Sequence, residues 1–301
     1  LGSIYTQKLV GHDTAKYFFE SAFHRGKISH AWLISGSPGI GKETFVFSCV
    51  RFIFKIVQNS PQEKRLLSGT HEGVISLRRE EDEEGNPKKR DISVEEVRRL
   101  KYFFQQTSSG NQWRVAIIDG VENLSVSASN ALLKLIEEPP PKSLFFLITS
   151  RLGSIQDTIR SRCRLLKLYP LSNENMTKLI PEVSEKILKY AKGSPKVAYL
   201  LLREKYRNFP SLVDLLLSDA PAYEKKEAVS HLKKGEAVTL LYSLLQEGIF
   251  SKSVEAAQDK NYLESRTWSM KYFEMQKLIL DAEHLSLEKE QVLIEILGLL
   301  Q

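Results

Sequence analysis

Gly36-Ser-Pro-Gly-Ile-Gly-Lys42, with Glu43 directly after it, is the stretch that decides how this chain reads. Its glycines Gly36, Gly39 and Gly41 permit a sharp bend that aims successive backbone N–H groups at a polyphosphate. Lys42 stands where one ammonium reaches the outer phosphates. Ser37, Pro38 and Ile40 fill the variable positions of the same loop. The next residue is normally Ser or Thr, whose hydroxyl holds magnesium. Here Glu43 adds a negative charge beside phosphates that already carry several. The pattern keeps the architecture of a nucleotide site and alters its chemistry.

The flanks fit a real phosphate loop. Ala31-Trp-Leu-Ile-Ser35 is a short apolar run suited to a buried strand, and residues 44–54 read as a mostly buried helix. Strand, glycine turn and helix N-terminus in that order place a helix dipole under a phosphate.

Working outward, Asp13 is expected to cap a helix with Ala15, Phe18, Phe19, Ala22 and Phe23 at helical spacing and Gly26 as its stop. Residues 73–77 suit a strand, and the almost wholly charged segment 78–90 a solvated loop. Ser93 and Ser125 each open a further helix. Val115-Ala-Ile-Ile-Asp119 is an apolar run ending in a carboxylate, as a central parallel strand does when its C-terminal end faces a site. Residues 144–148 and 164–168 give two more strands. Alternation of strands and helices to about residue 169 predicts a parallel α/β sheet. Beyond it the β signal fades: 170–207 reads as a small helical lid around Gly193-Ser-Pro195, and 208–301 as an all-α domain.

Bulk properties narrow the class. The 301 residues hold ample material for a core, and 42% hydrophobic with 27% charged is ordinary for a globular protein. No apolar run approaches the ~20 residues of a membrane span, and the N-terminus lacks a secretory pattern. The first residue is Leu, which suggests a trimmed start. Only Cys49 and Cys163 occur, which argues for a reducing, cytoplasmic setting and excludes a cysteine-rich zinc site. A formal charge of +6 hints at acidic partners without a concentrated basic face that would mark a DNA-binding module.

Four separated pieces join the loop: Asp119, the strand end Thr149-Ser150, Asn130-Ala-Leu-Leu-Lys-Leu-Ile-Glu-Glu-Pro-Pro140, and Thr158-Ile-Arg-Ser-Arg-Cys163. With His30-Ala-Trp-Leu-Ile-Ser-Gly36 they resemble the clamp-loader branch of the AAA+ ATPases, nearest its bacterial DNA polymerase III delta-prime type, from about residue 8 to about 200. The resemblance implies an AAA+ P-loop domain (1–169), a helical lid (170–207) and a collar (208–301) that oligomerises. By the same resemblance Asp119 is the Walker B aspartate, and Thr149 or Ser150 the polar sensor. Lys196 stands where active members often carry a sensor arginine, and Arg162 is the arginine finger that reaches a neighbouring subunit's ATP.

Active members follow the Walker B Asp with a Glu that positions attacking water, whereas this chain has Gly120. Two changes thus strike phosphoryl transfer, which depends on positioning. Glu122, three residues past Asp119, is a candidate substitute base, but is expected on the surface at a helix entry. The implied protein is a non-hydrolysing stator with no ATPase of its own, an accessory subunit of a DNA polymerase holoenzyme. It would hold ATP or ADP weakly at most and would carry no zinc. Its partners would be gamma/tau-type ATPases and delta in a hetero-oligomer, and through that complex the sliding clamp and primer-template DNA, with no membrane. The alternative is an active gamma/tau-type ATPase. A phosphotransferase on the same loop lacks a visible acceptor site.

Overall fold

In the computed structural model the described residues are 9–79, 91–105, 112–232, 235–285, 287 and 289–300. The chain divides into two compact units. The first runs to Pro181 and adds Gly193–Lys196; the second takes Glu182–Lys192 and everything from Val197 onward, so residues 170–207 are shared between them.

The first unit alternates as the sequence suggests: α1 (Asp13–His24), β1 (Ala31–Ser35), α2 (Lys42–Phe54), α3 (Pro61–Leu67), β2 (Val74–Arg78), α4 (Val94–Gln105), β3 (Arg114–Asp119), α5 (Val126–Glu137), β4 (Ser143–Thr149), α6 (Asp157–Arg160), β5 (Arg164–Lys167) and α7 (Asn173–Leu179). All strand pairs are parallel, in the order β2-β3-β4-β1-β5. Parallel neighbours need crossovers, and these supply helices to both faces of the sheet, which is why the central strands are apolar on both sides.

Period-two alternation sorts each strand between two cores. Trp32, Ile34, Val115, Ile117, Phe146 and Ile148 face α1 and α2. Leu33, Ala116, Ile118, Phe145 and Leu147 face α4 and α5. Phe19 packs between Trp32 and Phe146 at ring-centroid distances of 5.1 and 5.5 Å, and all three are fully buried. Burying side chains of this size contributes about 2–3 kcal/mol each.

The helix starts follow local chemistry. Ser93 and Glu96 form a reciprocal capping box, and the Ser125 hydroxyl accepts the Ala128 N–H at 3.2 Å. One expectation fails: Asp13 is not the cap of α1 but lies inside its first turn. His12 occupies the cap with left-handed backbone (φ 59°) and no side-chain capping bond, because its ring is committed elsewhere. Arg78, expected in the charged loop, ends β2 beside Asp119; residues 80–90 of that loop lie outside the described residues.

The second unit is helical: α8 (Glu185–Ala191), α9 (Pro195–Leu202, begun in the first unit), α10 (Phe209–Leu216), α11 (Ala222–Val229), α12 (Glu236–Gln258), α13 (Tyr262–Leu285) and α14 (Lys289–Leu299). Val238, Leu241, Leu244, Leu245, Leu293, Ile296 and Leu297 share one core, the apolar stripes visible in the sequence.

Candidate nucleotide site

The C-terminal ends of β3, β4 and β1 bring Asp119, Ser150 and the loop 36–42 to one edge of the sheet, where open parallel sheets place ligands. Gly39 (φ 75°) and Gly41 (φ 97°) adopt the left-handed backbone the bend requires, and Lys42 is the first residue of α2.

Lys42 is buried, and its ammonium donates to Gly36 O, Ser37 O and Ser150 Oγ, each at 2.8 Å. Its three donors are thus committed to this chain's own acceptors. Burial drives its pKa down to about 8; the carboxylates of Asp119 and Glu122 oppose that fall and the cation of Lys196 adds to it. Of the two sensor candidates, Ser150 meets the lysine. Thr149 is fully buried and accepts the Arg151 N–H at 3.0 Å instead.

The Gly193–Lys196 turn covers the loop. Lys196 N donates to Gly39 O (3.2 Å) and Ser194 Oγ to Pro38 O (3.3 Å). A Cβ at Gly39 would lie 2.5 Å from Ser194 Oγ and 2.7 Å from Lys196 Cβ, so only glycine fits beneath this turn. His12, which the sequence did not single out, donates from Nε2 to Ile40 O at 2.9 Å and meets Phe45 edge-on. Burial lowers its pKa, with the Ile40 carbonyl and Asp13 pulling the other way.

Glu43 is half-buried at the start of α2. Burial raises its pKa, the nearby charge of Asp119 raises it further, and Arg78 opposes both. Two carboxylates therefore share the place where one hydroxyl and one carboxylate would hold magnesium. Among the described residues no group of three His, Cys, Asp or Glu is disposed to hold a metal.

Glu122 departs from expectation. It is not a surface residue: it sits on the short 3-10 turn Val121–Asn123, its Oε1 accepts the Ser150 N–H at 3.2 Å, and its Oε2 is buried with no hydrogen-bond partner among the described residues. An acid three residues past a strand-end Asp is the one sequence signal for it, and the turn that swings it inward is a tertiary property.

Gly120 has φ 74°, and a Cβ there would lie 2.5 Å from the Asn123 amide nitrogen. A side chain at this position needs strained backbone and displacement of Asn123. Gly120→Glu should therefore cost about 1–2 kcal/mol in a urea denaturation and confer no ATP turnover. Wild-type stability together with new turnover would contradict this account.

Arg162 stands apart from the loop. It precedes β5, whose first residue Arg164 pairs with Trp32 near the start of β1, whereas the loop follows the end of β1. Its Nε meets Glu137 Oε1 at 2.8 Å and one terminal nitrogen donates to Thr158 O at 3.1 Å. No helix among the described residues is long and apolar enough to cross a membrane.

A family model described as DNA polymerase III, delta subunit matches residues 11–172, more than half of the 301-residue chain. This chain belongs to that clamp-loader family of AAA+ proteins. A DNA polymerase III subunit gamma of Buchnera aphidicola (subsp. Schizaphis graminum) is 33% identical over 65% of this chain and 57% of its own length. Subunit delta' of Escherichia coli K12 is 26% identical over 76% and 72%, and subunit tau of Bacillus subtilis is 27% identical over 85% and 44%. The chain thus spans little more than half of that gamma subunit and less than half of the tau subunit. A solved gamma subunit-related protein from Thermotoga maritima covers 96% of this chain and 97% of its own, with TM-score 0.57 at 16% identity, a likeness of fold. The clamp-loader resemblance is therefore established at the level of gamma, tau and delta' subunits taken together.

Proposed function

We propose that this clamp-loader subunit is of the non-hydrolysing, delta-prime type. The observation that carries the reading is Gly120. This position lacks the carboxylate that would orient attacking water, and its left-handed backbone and the overlying Asn123 amide disfavour a side chain there. Glu43 beside Asp119 supports it by loading the metal position with two negative charges, one of them with a raised pKa. In this reading the loop 36–42, Lys42, Asp119 and Lys196 hold ATP or ADP weakly without turning it over. No zinc is involved. Arg162 serves as an arginine finger toward a neighbouring subunit's ATP. The helical lid (170–207) and collar (208–301) seat the chain among gamma/tau-type ATPases and delta in a cytoplasmic complex that opens a sliding clamp and loads it on primer-template DNA.

A second reading, an active gamma/tau-type ATPase, is favoured by the 33% identity to a gamma subunit. Turnover of Mg-ATP by the purified chain separates the two. The proposal expects none above a Lys42→Ala control, and steady turnover abolished by that substitution would establish the second reading instead.

A further inference from the structure

Beside Glu43, Glu122 is a second acid of the site that the family pattern does not account for. Three elements meet around it. The turn after β3 carries its carboxylate, the end of β4 supplies the Ser150 N–H that fixes Oε1 at 3.2 Å, and the Ser150 hydroxyl accepts a hydrogen bond from the Lys42 ammonium at 2.8 Å. Ser150 is thus a bridge, its backbone on the glutamate and its side chain on the lysine. The second carboxylate oxygen is buried and unpartnered among the described residues. An ionised carboxylate left in that state is compensated chiefly by a nearby cation, and Lys42 is the cation whose titration responds to it.

Resting on the reading that the 36–42 loop takes polyphosphate, we propose that Glu122 is an internal anion that competes with phosphate for Lys42 and sets how weakly this site holds a nucleotide. An incoming phosphate must draw Lys42 away from Ser150 and from the field of a carboxylate that cannot follow it without giving up the Ser150 N–H. Glu122→Gln keeps an oxygen for that N–H and removes only the charge, so the loop's shape survives while Lys42 loses its competing anion.

The test is calorimetric titration of the full chain with inorganic pyrophosphate and, separately, ADP, without metal. The proteins are the wild type, E122Q, K42A and the E122Q/K42A double variant, with E122A as a second neutral variant should E122Q melt early. Either neutral variant should bind both ligands about tenfold tighter than wild type, and the gain should vanish in the K42A background. Affinity unchanged or weakened by neutralising Glu122, a gain that persists without Lys42, or no binding by any variant would each overturn the proposal. Wild-type binding that ignores K42A would instead sink the loop reading itself, while K42A-sensitive binding indifferent to E122Q sinks this inference alone.

Discussion

Arg162→Ala should cut ATP turnover at the adjoining site of a reconstituted clamp loader by about 10³-fold, the scale at which an arginine supplied in trans acts on phosphoryl transfer. The isolated variant should melt with the wild type. The two expectations separate because of where the residue sits. Its side chain is 42% exposed and its carboxylate partner Glu137 is 46% exposed, and an ion pair that open to water is worth less than about 1 kcal/mol. The fold therefore has little to lose. In the proposed intersubunit site a developing negative charge would have much to lose, because there the guanidinium would be desolvated and meet two oxygens at once. Arg162→Lys keeps the charge without the planar fork and should recover only part of the rate. Steady-state turnover of the complex, assembled from cognate ATPase subunits with clamp and primed DNA, reads this directly. Full activity with the alanine variant would remove the finger role and leave Arg162 as a surface ion pair.

The fold was legible because its determinants are local or periodic. The runs 31–35, 115–119 and 144–148 are apolar on both faces, which only a strand covered by helices on both sides tolerates, and they became β1, β3 and β4 with bounds shifted by a residue at most. Ser93 and Ser125 announced their helices through bonds closing within three residues. The site was legible where it lies in one segment, the loop 36–42. It was illegible where it depends on distant segments meeting. Nothing near Asp13 says that His12 leaves the cap to donate to Ile40, twenty-eight residues on. Thr149 and Ser150 are equally polar in sequence. The pleat turns one inward and leaves the next, past the strand's end, to reach Lys42. Glu122 looked like a surface acid because a 3-10 turn reverses the direction a continued strand would give it. Arg78 looked like loop because charge usually means solvent, yet the parallel register with β3 carries it to Asp119.

ADP affinity should fall about twentyfold between pH 7.5 and 9.5. Lys42 titrates at about 8 in the free chain because burial disfavours its charged form. Below that pH the ammonium is already present, and above it a proton must be taken up before the lysine can meet a phosphate. A bound polyanion stabilises the ammonium and raises its pKa, so affinity drops gently near pH 8 and approaches tenfold per unit only above about pH 9. ADP's own last phosphate ionisation, near 6, is already complete and does not mask the effect. The sign also fixes the stability profile. Between about 8 and the ordinary lysine value of 10.5 the unfolded chain holds a proton that the folded chain does not, so the Lys42 contribution to folding becomes more favourable as pH rises. Binding and stability should therefore move in opposite directions, which no general alkaline loosening of the fold would produce. Lys42→Arg, charged throughout the range, should flatten the binding profile. Titrations in buffers of different ionisation enthalpy should register proton uptake at pH 9 and almost none at pH 7. A wild-type profile as flat as the arginine variant's would mean that Lys42 is not the group a phosphate meets.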